Sequence, residues 1–133
     1  MSACPCGRTD ARGRPLVYAD CCGRYIDHWE DVPAPDAESL MRSRYTAFVR
    51  EDGRYLLATW HPSARPPSVE FENGYKWLGL EVRQRRMTGD AEAEVEFVAR
   101  VRSSDGRATR LHERSRFVCE EGRWYYVDGM VPS

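Results

Sequence analysis

No stretch of the 133 residues is apolar over the length a membrane-crossing helix requires, and neither an internal repeat nor a low-complexity tract is present. Charge of one sign is missing too: 20 Lys and Arg stand against 21 Asp and Glu, a formal net charge of −1. That balance argues against the overall basic field on which nonspecific nucleic-acid binding draws. Met1 to Asp20 lacks an apolar core for a secretory signal, so a reducing, cytoplasmic setting without membrane attachment is expected. No set of nucleophile, base and orienting group stands out anywhere along the chain.

What is present is concentrated at the start. Four of the five cysteines fall in Cys4-Pro5-Cys6-Gly7 and Cys21-Cys22-Gly23. Disulfides between Cys4 and Cys6, or Cys21 and Cys22, would close small strained rings and leave the fifth cysteine over. Thioredoxin-type redox chemistry uses a Cys-x-x-Cys at a helix start, which is not the spacing here. A closed tetrahedral thiolate site remains, with structural Zn2+ expected and iron open on the same ligand set. Four thiolates around a divalent cation leave a charge of about −2. Gly7 and Gly23 are expected to let backbone N–H groups turn toward sulfur, and Arg8, Arg12, Arg14 and Arg24 to supply positive charge.

Cys4-Pro5-Cys6-Gly7 with Tyr18-x-x-Cys21-Cys22-Gly23 resembles the SEC-C motif, the small zinc-binding module first noted at the C-terminus of the SecA translocase ATPase. The resemblance implies that Cys4, Cys6, Cys21 and Cys22 are the ligands of one ion. Gly7 to Asp20 makes a longer loop than the family's, through the polar segment Thr9 to Arg14, a change that loop-closure entropy tolerates.

Beyond the cysteines, Pro33-Ala34-Pro35 marks a stiff linker and Asp36 is placed as an N-cap. Ala37, Leu40, Met41, Tyr45, Phe48 and Val49 line one face of a helix running to about Arg50, ended by Glu51-Asp52-Gly53. A shorter helix is expected from about Tyr55 to Thr59, stopping before Trp60-His61-Pro62. From Lys76 the apolar period becomes two, through Leu78-Leu80-Val82, Ala93 to Val101, Leu111 to Cys119 and Trp124 to Asp128. Gly89-Asp90, Asp105-Gly106 and Glu121-Gly122 fall between the runs as hairpin turns. The expected fold class is α+β, an antiparallel meander of about four strands with helices on one face.

Leu40-Met41-Arg42-Ser43-Arg44-Tyr45, Tyr55-Leu56-x-x-Thr59-Trp60-His61-Pro62, Trp77-Leu78-Gly79-Leu80, Val95-Glu96-Phe97-x-Ala99, His112-Glu113-x-Ser115-x-Phe117 and Trp124-Tyr125-Tyr126-Val127-x-Gly129 together resemble the YchJ family. In that family a SEC-C module precedes a nuclear-transport-factor-2-like domain. The resemblance implies a SEC-C-like module over 1–30, followed over 36–133 by a cone-shaped α+β roll with a curved antiparallel sheet.

Within that cone, the alternation that turns Leu111 and Phe117 inward does the same to Glu113 and Ser115. A buried carboxylate needs a partner, and Arg42 or Arg44 on the long helix is the candidate for a bidentate ion pair. That pair reads as a structural tie between helix and sheet, or as part of a pocket acid or base helped by Tyr45 and His61. His112 should face away from Glu113, His28 is surplus to a four-cysteine site, and Cys119 reads as a small core or edge residue.

Three functions follow as expectations. The first is a non-enzymatic adaptor that binds a protein partner through the zinc module, with the sheet available for a homodimer. The second is a small-molecule binder or acid/base enzyme in the cone. The third, ranked last, is single-stranded nucleic-acid binding through Trp60, Trp77 and Trp124 to Tyr126, with a stripe of sheet arginines between Arg83 and Arg116.

Overall fold

A computed structural model describes residues 2–132. Asp36 caps the long helix α2, Ala37–Val49, by accepting from the Ser39 backbone N–H at 2.7 Å. Leu40, Met41, Tyr45 and Ala47 are buried on it, as the helical spacing requires. Before it lie a turn of 3-10 helix at Tyr18–Asp20 and α1, Gly23–Ile26. After it comes α3, Gly53–Ala58.

α2 ends before Glu51-Asp52-Gly53 as expected, with Glu51 in the left-handed conformation at φ 55°, but Gly53 also opens the next helix. The Asp52 carboxylate accepts from the Tyr55 N–H at 3.1 Å, so α3 starts two residues before the expected Tyr55.

Four strands form one antiparallel meander in the order β1-β2-β3-β4: Lys76–Gly89, Glu92–Arg102, Ala108–Glu120 and Arg123–Met130. β1 runs well past the apolar Val82 into Gln84, Arg85 and Arg86, with bulges between Trp77 and Gly79, Val82 and Gln84, and Met87 and Gly89. Phe97 pairs with Glu113 and Val95 with Ser115, which puts the inward residues of β2 and β3 side by side beneath α2. Leu40 and Leu56 from the helices meet Val95 and Phe117 from the sheet, and the cysteines Cys4, Cys6, Cys21 and Cys22 belong to the same cluster.

Candidate metal centre and cavity

The metal centre begins with local turns. Gly7 takes φ 78° and its N–H donates to the Cys4 carbonyl at 3.2 Å, bending the chain around the first pair of sulfurs. Thr9 and Pro15 bridge, and the Asp10 side chain accepts from the N–H groups of Arg12 at 2.8 Å and Arg14 at 3.0 Å. The polar segment between the cysteine pairs is thus a tight hairpin. Gly23 corrects the role expected of it: its backbone is helical, and an added Cβ would come within 2.7 Å of the Tyr18 ring. Glycine is there so that Tyr18 can pack against α1.

These turns bring the Sγ atoms of Cys4, Cys6, Cys21 and Cys22 within 4.8 Å of one another, all four residues being buried. A tetrahedral ion with thiolates at about 2.3 Å spaces its sulfurs about 3.8 Å apart, so the cluster has the dimensions of a metal cage. Its chemistry fits as well. Hydrogen bonding from Cys21, then Cys22, holds the Cys6 thiol down to about 7, while bonding with Cys21, then Cys4 and Cys6, pushes Cys22 far up. Four sulfurs crowded in this way cannot all ionise unless a cation joins them.

The surrounding donors differ in part from those expected. Arg24 donates to the Cys21 carbonyl at 3.0 Å, but Arg12 and Arg14 serve the hairpin, and Arg8 reaches Ser39 at 2.9 Å. The residues that tie the cage to α2 are Arg42, donating to the Cys6 carbonyl at 3.0 Å, and Thr46, whose hydroxyl lies 3.6 Å from the Cys4 sulfur. His28 is exposed and outside the sulfur cluster.

The second site lies on the other side of α2. Between that helix and the inner face of the sheet is a cavity of about 280 Å³ whose walls include Tyr45, Phe97, Leu111, Ser115 and Phe117. Leu111, 44% exposed, marks its mouth. Besides the phenols of Tyr45 and Tyr126, two ionisable groups stand in this apolar lining, Arg44 and Glu113.

The Arg44–Glu113 ion pair expected from the sequence is not formed. Arg44 is 6% exposed and its Nη1 donates to the Leu56 carbonyl at 2.8 Å and the Thr59 hydroxyl at 2.7 Å. Its guanidinium lies 4.5 Å from the Tyr126 ring centroid and 5.2 Å from that of Trp60. Burial lowers its pKa to about 10, which leaves it a cation at neutral pH. Among the described residues, the Glu113 carboxylate accepts a single long hydrogen bond, 3.4 Å, from the Tyr126 hydroxyl. Burial pushes its carboxyl up, with the Tyr126 hydroxyl and Arg44 offsetting part of the rise.

Arg42 points elsewhere, to Glu38 at 2.8 Å, because residues two apart on a helix face different ways. His61 also stays outside the cavity lining, its ring nitrogens on Glu120 at 2.9 Å and Ser63 at 2.7 Å. Tyr45 and Ser115 do line the cavity, and His112 turns outward to Glu96 at 2.7 Å, as alternation requires. Trp60, Trp77 and Tyr126 are spent on the cavity wall rather than presented for stacking. Several arginines of the supposed basic stripe are paired with carboxylates, Arg86 with Glu94, Arg114 with Glu96 and Arg116 with Asp128.

Sequence reasoning passed over Gly129. A Cβ there would collide with the Glu113 carboxyl, so the glycine makes the space the acid occupies. Its signal was the Tyr126-Val127-x-Gly129 motif opposite Ser115. Glu38 is legible as an acid in the first turn of α2, but its ion pair with Arg42, written in the i, i+4 spacing, was passed over.

Residues 36–129 match the family model for the middle, nuclear-transport-factor-2-like domain of YchJ. A UPF0225 protein of Polaromonas sp. (strain JS666) is 67% identical over 128 residues, covering 96% of this chain and 92% of its own. Another from Bordetella parapertussis is 56% identical over 131 residues, covering 98% and 93%. Among solved structures, a SEC-C motif containing protein from Rhodopseudomonas palustris superposes with a TM-score of 0.81 at 31% identity, over 99% of this chain and 100% of that one. One from Psychrobacter arcticus gives the same TM-score and identity over 100% of this chain and 84% of its own. A domain match over most of the chain, joined to relatives this similar over nearly their whole length, places the protein in the YchJ (UPF0225) family.

Proposed function

We propose that this protein binds a small organic molecule in the cavity between α2 and the sheet, and that its N-terminal cysteines hold a structural zinc ion. The observation that carries the reading is the cavity itself. It is of ligand size, largely apolar, and holds a buried cation and a carboxylate that do not neutralise each other at contact distance. Natural interiors rarely keep two such groups apart without a use for them.

Zinc fits the cage because four buried thiolates leave no open coordination position, which assigns the ion to structure rather than to chemistry. The adaptor role has less support. The cysteines face the shared core, and Arg8, Arg42 and Thr46 spend one side of the module on α2.

The test combines elemental analysis with a fragment screen read by amide chemical shifts. One zinc per chain is expected, with hits that move the amides of Tyr45, Phe97, Ser115 and Phe117 together. A screen whose hits avoid those residues would overturn the cavity reading, and a chain that purifies reduced and metal-free would overturn the zinc.

A further inference from the structure

The charges in the cavity narrow the ligand, given the reading of that cavity as a binding site. Arg44 is a buried cation that donates from Nη1 to two neutral acceptors, the Leu56 carbonyl and the Thr59 hydroxyl. A guanidinium can offer five donors in a planar fork, and a carboxylate is the acceptor that takes two of them at once. The Trp60 and Tyr126 rings hold the plane in place, so little ordering remains to be done when an anion arrives. Trp60 adds an indole N–H that is buried without an acceptor, on a residue of the same lining.

The rest of the lining asks for an apolar body. Phe48, Trp77, Phe97, Leu111 and Phe117 offer ring and methyl surface. At the packing density of protein interiors, 280 Å³ takes on the order of a dozen heavy atoms. A dicarboxylate or phosphate would place its further charge against these apolar walls or beside Glu113, and a desolvated like charge is repelled there.

We propose that the cavity takes a small monocarboxylate with an aromatic or short aliphatic body, its carboxylate seated on Arg44 and its body between α2 and Phe97, Leu111 and Phe117. Glu113 is the one acid of the lining, and it stands against the bound anion. Burial already favours its neutral form, in which it repels nothing and has a proton to donate.

The experiment titrates the zinc-loaded full chain with 3-phenylpropanoate and octanoate, each against its neutral primary amide, by calorimetry and by the fluorescence of the cavity tryptophans at neutral pH. Each acid is expected to bind at least about tenfold tighter than its amide. Glu113→Gln, which removes the competing charge, should tighten the acids several-fold relative to their amides. Arg44→Met should bring acid and amide to equal affinity; if that variant does not fold, the comparison on the native chain stands alone. Equal affinity of acid and amide in the native protein would overturn the anionic class while keeping the cavity as a binding site. Binding of neither would overturn both, and a loss of acid binding in Glu113→Gln would overturn the placement on Arg44.

Discussion

Glu113 is held by one long hydrogen bond and by the space that Gly129 leaves for it. Because burial raises its pKa, the folded protein binds this proton more tightly than the unfolded chain does, and stability falls as pH rises from the ordinary carboxylate range toward the raised folded value. Glu113→Gln removes that loss. At pH 7 the variant should melt higher by roughly 2 °C, whereas near pH 4, where the native side chain is already protonated, the two should melt together. Calorimetry at both values decides it, and a lower melting point at pH 7 would make Glu113 the structural counter-ion of Arg44 after all. Gly129→Ala should act oppositely, pushing the carboxyl out of place and destabilising by about 1–3 kcal/mol as measured by urea unfolding. The inward direction of Glu113 and Ser115 was legible in strand alternation. Which arginine would approach them was legible only in half: Arg42 and Arg44 cannot share a face and the apolar stripe passes closer to Arg44, but no period shows that Arg44 turns to the Leu56 carbonyl and the Thr59 hydroxyl instead of to Glu113.

At the scale of elements, α2 is the plate on which both sites are mounted. One side carries Glu38, Arg42 and Thr46 toward the cysteines, and the other carries Arg44, Tyr45 and Phe48 into the cavity. Glu38 is the hub of the first side, only 6% exposed, accepting from Arg42 at 2.8 Å and Arg85 of β1, with Arg8 of the N-terminal module at 3.8 Å. Burial alone would raise its pKa, but Arg42 first, then Arg85 and Arg8, hold it below the usual carboxylate range. Its stabilising share is therefore complete above the unfolded carboxylate pKa and is lost as pH falls through the depressed folded value. Glu38→Gln should destabilise the protein by about 1–3 kcal/mol at neutral pH, and urea midpoints of variant and parent should converge on acidification. This hub explains why β1 runs on through polar Gln84 to Arg86: the alternation rule sees no apolar face there and stops at Val82, whereas β2 pairing and Arg85 continue the strand. The start of α3 was missed for a similar reason, since Gly53 reads as a terminator until Asp52 is seen to cap the helix it opens.

At the scale of the molecule, the helix face, the four strands and the cysteine cage were legible because each is written as a local period or spacing. That the cage and the cone share one core was not, because no period within either segment encodes a contact between them. The sharing has a thermodynamic consequence. Cys4 and Cys6 are packed against the helix that also forms the cavity wall, so loss of a bound ion would leave four buried thiols under α2 without the bonds that draw them together, rather than a loose tail beside a finished domain. Chelation should lower the single melting transition of the whole chain by about 10 °C or more, and Cys22→Ser should do the same without chelator. A calorimetric trace that splits, with an upper transition unmoved by chelator, would show the cone standing alone. Below either melting temperature the metal-stripped chain should also bind cavity ligands more weakly than a metal-loaded one, since Arg44 and Tyr45 lie on the same helix as Arg42 and Thr46, and what loosens one side of that helix loosens the other.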